Sequence, residues 1–263
     1  MSVGGDGWRP TPAMMPKRRP VIPPAQRPPA RSKFHVATGM PRRGLRDAIV
    51  WPDTGLLLAL GTDESLLERF RRHYGGRIRL AKRVAREVRL LSEDSPFPGA
   101  CDQDYDRVAA ATRAVRAILL GPRALPLFEL CAEDLAVVEK VTEQLKALSD
   151  IGGKSHGGEA EIIVLAARAA RSDKSTQVLL SNDGGASVIA HRYEIPTRHI
   201  GDLLAEFSCS DPDLAPESCI AAFNAAIQIS APPVCSRPTG IEGFTCSGTA
   251  AGCVPCEDAE RTS

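Results

Sequence analysis

From Asp47 onward, short apolar runs alternate with amphipathic stretches, the pattern of β/α units that build a mostly parallel sheet. Ala48-Ile49-Val50-Trp51 predicts a buried strand, and Thr54 to Leu60 a short helix that ends at the turn Gly61-Thr62. A second helix is expected from Asp63 to about His73, where Gly75-Gly76 breaks it, followed by a weaker strand from Arg77 to Leu80. In Ala81 to Leu91 the apolar residues Val84, Ala85, Val88 and Leu91 share one helical face. Tyr105 to Leu119 and Glu133 to Leu148 read as further helices, with a strand between them near Leu125 to Leu130.

Gly157-Gly158 then opens a helix from Glu159 to about Arg171, with an apolar stripe of Ile162, Ile163, Ala166, Ala169 and Ala170. Gln177 to Ser181 is a β-branched and leucine-rich strand, and Asp183 opens another helix. Tyr193 to Pro196 leads to a short edge strand, Gly201 to Phe207 closes the unit with helix, and one more helix fits Pro216 to Ile229. Past Ala231 the chain is rich in Gly, Ser, Thr, Pro and Cys without periodicity, and is expected to be poorly ordered on its own.

Charge divides the chain differently from hydropathy. Residues 1 to 44 carry nine Lys or Arg against Asp6 alone, so this arm is +8 and the remainder −7 in a chain of net charge +1. Prolines are interspersed and apolar periodicity is absent, which predicts a disordered basic arm suited either to phosphate contacts or simply to solvent. The organisation expected is therefore an arm over 1–44, a folded domain over 47–207 and a C-terminal extension over 208–263. No run approaches the ~20 apolar residues that span a bilayer, and the start lacks the apolar core of a secretion signal, so a cytoplasmic protein with no membrane partner is expected. Eight cysteines without such a signal argue for reduced thiols.

The candidate chemistry is carried by acids. Asp53 follows the first strand and Asp183 follows the strand Val178-Leu179-Leu180, so in a parallel sheet both stand at the carboxyl edge where ligands bind. Glu159 precedes Ile162 and Ile163 by three and four residues, and Glu87 follows Val84 by three and precedes Leu91 by four, so each adjoins a core-facing stripe. A carboxylate there is costly unless paired or metal-bound. Singly, each acid reads as a helix cap or a complement to a helix dipole. Together, the four make a site for Mg²⁺ or Mn²⁺, which prefer oxygen ligands.

At this point the chain resembles a family. Asp53-Thr54 after an apolar strand, the helix around Arg86-Glu87-Val88, Gly158-Glu159-Ala160-Glu161, and Ser181-Asn182-Asp183 followed by Ala186 look like the successive motifs of PIN domains, over about 160 residues. The resemblance implies a three-layer α/β/α sandwich and metal-dependent endoribonuclease activity, in which metal ions activate water and stabilise charge on the phosphate. Asp53 and Asp183 would be direct ligands, with Glu87 and Glu159 binding directly or through water. Glu161, two residues beyond Glu159, is expected to point roughly away. Many relatives are toxins of toxin–antitoxin pairs, so RNA, an antitoxin protein and a second copy of the chain are the partners implied. Arg71, Arg72, Arg77, Arg79 and Arg83 offer phosphate contacts. A non-catalytic RNA- or partner-binding module with the same fold is the competing expectation.

Other patterns carry less. Gly153-Lys154-Ser155 lacks the first glycine and the preceding strand of a phosphate-binding loop, leaving the role of Lys154, Ser155 and His156 open. Asp102, Asp104 and Asp106 imitate a calcium loop, but Arg107 stands where glycine is required and Arg113 where the closing glutamate belongs. His73, His191 and His199 have no metal-type spacing with one another. Cys253-Val254-Pro255-Cys256 has the separation for two zinc thiolates, with Cys235 and Cys246 able to complete a site, against the simpler reading of free thiols.

Overall fold

The computed structural model describes residues 48–96, 100–120, 124–148, 156–173, 175–211, 213–238 and 240–244. The basic arm over 1–44, the Gly153-Lys154-Ser155 stretch and Cys246, Cys253 and Cys256 lie outside the described residues. The strands are β1 (Ile49–Pro52), β2 (Leu80–Ala81), β3 (Leu127–Phe128), β4 (Gln177–Leu180) and β5 (Thr197–Arg198). Between and after them run α1 (Thr54–Leu60), α2 (Glu64–Tyr74), α3 (Lys82–Glu93), α4 (Asp102–Ala114), α5 (Leu135–Leu148), α6 (Gly157–Asp173), α7 (Gly184–Arg192), α8 (Ile200–Ser210) and α9 (Pro216–Ile229). The fold is α/β, mostly helical, with a small parallel sheet.

Among the described residues every strand pairing is parallel. β1 pairs with β4 from Ile49 opposite Gln177 to Pro52 opposite Leu180, and β4 pairs with β5. β2 pairs with β3, and a parallel bridge between Val50 and Ile78 joins the two sets. The lateral order is thus β3-β2-β1-β4-β5, and the direction of progression reverses between β1 and β4. Loops leaving the carboxyl ends of strands part at such a point, which opens a crevice.

Local sequence accounts for most elements. α1 carries five consecutive buried residues, Leu56 to Leu60, and so sits inside the molecule rather than on it. Losing one of those leucines, as in Leu57→Ala, should cost about 2–5 kcal/mol. Its first turn is closed by Asp53, whose Oδ1 accepts from the Leu56 N–H at 2.6 Å. Asp63 caps α2 and Asp183 caps α7 in the same way. α3 buries Val84, Ala85 and Val88, the face expected from their spacing.

Three expectations are corrected. Arg77 to Leu80 does not run as one strand: Gly75, at φ +51°, starts a 3-10 turn over Gly75–Arg77, Ile78 makes a single bridge, and only Leu80–Ala81 form β2. α6 is not one-sided, because Ala160 through Ala167 are all buried where the helix packs against α3, α5, α7 and the strands at once. The chain past Ala231 is also partly folded, since Phe244 is 1% exposed and its ring lies 5.8 Å from that of Phe223 on α9. A single aromatic side chain with an apolar cleft to fill orders a segment whose composition alone suggests none.

Candidate acidic site

Parallel pairing of β1 and β4 sets the two strand ends side by side. The Asp53 N–H donates to the Leu180 carbonyl at 2.9 Å, and the Ser181 hydroxyl donates to Asp53 Oδ2. The same hydroxyl accepts from the Asp183 N–H at 3.0 Å, so one serine ties both strand-end acids together. Asp53 is 4% exposed and has both oxygens engaged, while Asp183 caps α7 through Oδ1, 3.0 Å from the Ala186 N–H.

Helices bring the other two acids to this edge. Glu87 Oε2 accepts from the Thr54 hydroxyl at 2.6 Å, and Oε1 lies 3.3 Å from Arg83 Nε one turn earlier on α3. The same carboxylate rests on the first turn of α6: a Cβ on Gly158 would lie 2.9 Å from Oε2. A Cβ on Gly157 would overlap the Arg83 guanidinium, so the paired glycines let α3 side chains pass close to the α6 backbone. Glu159 then stands on α6 facing Asp183. A further prospective co-ligand, whose role the sequence left open, is His156, buried at the start of α6 where its carbonyl accepts from the Ala160 N–H at 3.0 Å. One ligand atom from each of His156, Glu159 and Asp183 falls within 4.8 Å of the others.

Asp53, Glu87, Glu159 and Asp183 all line one cavity of about 1000 Å³. Glu161 lines it too, contrary to expectation. It is 8% exposed and accepts from the Arg83 N–H at 3.3 Å, because the start of α3 crosses α6 there and gives the opposite flank of the helix access to the same space. Burial pushes the Glu161 carboxyl above its ordinary range, the Arg83 backbone and charge countering only part of that effect. With Glu129 the lining holds six acids against four cations, Lys82, Arg83, Arg86 and Arg107, so negative charge is in excess before any ion enters.

The basic rim differs from the one expected. Of the five arginines offered as phosphate contacts only Arg83 reaches the cavity. Arg71 donates to the Ala117 carbonyl and Arg77 to that of His73, both beyond this edge, and Arg72 is exposed on α2. Arg79 lies over the Phe128 ring at 5.4 Å beside a separate, smaller cavity. Lys82, Arg86 and Arg107 replace them, a set visible only once α3 and α4 are packed together.

Other expectations fall outside this edge. His199 caps α8, its Nδ1 3.0 Å from the Gly201 N–H, and His73 sits beside Glu206. Cys219 is buried within α9, whereas Cys101, Cys131 and Cys235 are exposed thiols. Among the described residues no helix is long and apolar enough to cross a membrane. Comparisons with protein-family models, with curated proteins and with solved structures find no match to this chain.

Proposed function

We propose that the chain is a PIN-type, metal-dependent endoribonuclease with a three-layer α/β/α domain, hydrolysing RNA phosphodiester bonds at the carboxyl edge of β1 and β4. One observation carries the reading: Asp53, Glu87, Glu159 and Asp183, drawn from two strand ends and two helices, line a single cavity where the strand order reverses.

The side chains present fit a divalent cation. Glu159 and Asp183 supply hard oxygen donors close enough to share an ion, and the cavity's acids exceed its cations. His156 adds a nitrogen donor, which favours Mn²⁺ over Mg²⁺ within the pair expected. Bound there, the ion supplies water activation and neutralises charge on the phosphate. Asp53 and Glu87, engaged with Ser181 and Thr54, hold the edge in register and offer water-mediated ligation from their remaining lone pairs. Lys82, Arg83, Arg86 and Arg107 orient the ribose-phosphate backbone along the rim. An antitoxin partner and a homodimer follow from the same reading as proposals.

A second reading has its own observation. Asp53 and Asp183 both cap helices and Glu87 is paired with Arg83, roles a non-catalytic RNA- or partner-binding module would equally need. Incubating the protein with labelled RNA and Mn²⁺ or Mg²⁺, beside a folded Asp53→Asn/Asp183→Asn variant, separates the two. Cleavage by the wild type alone supports the nuclease. Binding without cleavage across several RNAs, lost on deleting residues 1–44, supports the module.

A further inference from the structure

The C-terminal extension reaches the acidic edge. α9 packs against α1 and α8, and Ile229, Ser230 and Ala231 line the same cavity as the carboxylates. Asn182, between the two strand-end landmarks Ser181 and Asp183, fixes the segment. Its Nδ2 donates to the Ser230 carbonyl at 2.8 Å and approaches the Ser230 hydroxyl oxygen at 3.3 Å, while its Oδ1 accepts from the Ile200 N–H at 3.0 Å. A Cβ on Gly184 would lie 2.8 Å from Pro233, so the next residues run across the turn after β4.

The Ser230 hydroxyl occupies a place that the α1 backbone leaves empty. A Cβ on Gly55 would meet Ser230 Oγ at 2.8 Å and Asp53 Oδ1 at 3.6 Å. The hydroxyl therefore stands beside Asp53, held by Asn182 as an acceptor, with its own proton left to give into a cavity lined by carboxylates. A hydroxyl in that position can donate its proton to a non-bridging phosphate oxygen.

We propose that Ser230 is a substrate-contacting residue of this site, donating its hydroxyl hydrogen bond to the phosphate, and that position 55 is glycine to make room for it. The proposal rests on the metal-dependent nuclease reading above. It makes the C-terminal extension part of the working site rather than an appendage.

Geometry supplies a test with opposite signs at the two positions. Gly55→Ser alone collides with Ser230 Oγ, whereas with alanine at 230 the new Cβ meets Asp53 Oδ1 at 3.6 Å and the Cβ of residue 230 at 3.7 Å, both ordinary contacts, and residue 55 now carries the hydroxyl. The full-length wild type, Ser230→Ala, Gly55→Ser and the double variant would be compared for melting temperature, Mn²⁺ binding, binding of inorganic phosphate in the presence of Mn²⁺, and RNA cleavage. Ser230→Ala should bind Mn²⁺ normally but lose about tenfold or more in phosphate affinity and cleavage rate. Gly55→Ser should lower the melting temperature, and the double variant should regain both stability and cleavage. Should Ser230→Ala melt early, Gly55→Ala/Ser230→Ala decides, because it refills the same space without a hydroxyl, and cleavage regained by the serine double variant but not by this one requires the hydroxyl. A wild type that binds Mn²⁺ and cleaves, matched by Ser230→Ala or by a double variant no better than it, overturns the role of Ser230 alone. A wild type that neither binds Mn²⁺ nor cleaves overturns the nuclease reading, and the role of Ser230 with it.

Discussion

Two of the places where this molecule buries a carboxylate, the α2–α8 seam and the carboxyl edge of the sheet, have different surroundings. Between α2 and α8 a single acid, Glu206, is 6% exposed and surrounded by groups that favour its charge: the Tyr74 hydroxyl donates to Oε2 at 2.5 Å and His73 Nε2 lies 3.8 Å from Oε1. Burial alone would raise the Glu206 carboxyl, but His73, the charge of Arg198 and Tyr74 together hold it below its ordinary range. At the carboxyl edge of the sheet, by contrast, six acids share a large cavity with four cations. There burial wins for Glu161, whose carboxyl is pushed up. The acid between α2 and α8 is answered by donors at its own position, whereas the acids at the sheet edge are gathered beyond what their neighbours neutralise, as the proposed binding role requires.

The contrast breaks most sharply on activity. Asp53→Asn/Asp183→Asn should abolish metal-dependent RNA cleavage by roughly a thousandfold or more, with little change in melting temperature because asparagine also caps α1 and α7. A double variant that cleaves as well as wild type would remove the acids from the chemistry. Glu206→Ala should do the reverse, costing about 3 kcal/mol in denaturant unfolding by stripping Tyr74 of its partner, while Mn²⁺ binding is retained. If that variant unfolds with wild-type stability, the α2–α8 cluster is not structural.

Metal gives the next effect. Mn²⁺ at a hundred times its dissociation constant should stabilise the wild type by about 2.7 kcal/mol in thermal unfolding. The stabilisation should vanish in the Asp53→Asn/Asp183→Asn variant and survive in Glu206→Gln. Equal stabilisation of all three would place the ion elsewhere.

The smallest effect is a pair of opposed pH dependences. A depressed carboxyl such as Glu206 stabilises the fold above its unfolded-state value, and that contribution is lost as pH falls through the lower folded value. A raised one such as Glu161 has the opposite sign: stability falls as pH rises from the ordinary carboxylate range through the higher folded value. Glu161→Gln should therefore melt a few degrees higher than wild type near neutral pH and the same in strong acid, and Glu206→Gln should flatten the acid limb. Melting curves in metal-free buffer from acid to neutral pH would show whether the two signs differ.

Much of the frame was legible in the chain. α1 and α9 fall on the residues expected, Asp63 and Asp183 cap the helices they were expected to open, and the strand ends at Asp53 and Asp183 lie side by side. These features depend on contacts a few residues apart, where apolar period and capping chemistry act directly. What was missed depends on distance in sequence. His156, whose role the sequence left open, comes together with Glu159 and the distant Asp183 only in the fold, although its place just before Gly157-Gly158-Glu159 was a signal available to find it. Glu161 was expected to turn away because i,i+2 residues diverge on an isolated helix, but α6 is enclosed on several sides and has no outward flank there.

The sequence by itself determined the α/β alternation, the helix caps and the placing of acids at strand ends, since periodicity and local hydrogen bonding are properties of short segments. Only the tertiary structure decided which cations form the rim, that His156 and Glu161 join the acids, and that Ser230, from far along the chain, stands against Gly55 beside Asp53. Those contacts follow from how helices pack across the sheet edge, a choice set by the whole core at once rather than by any segment in it.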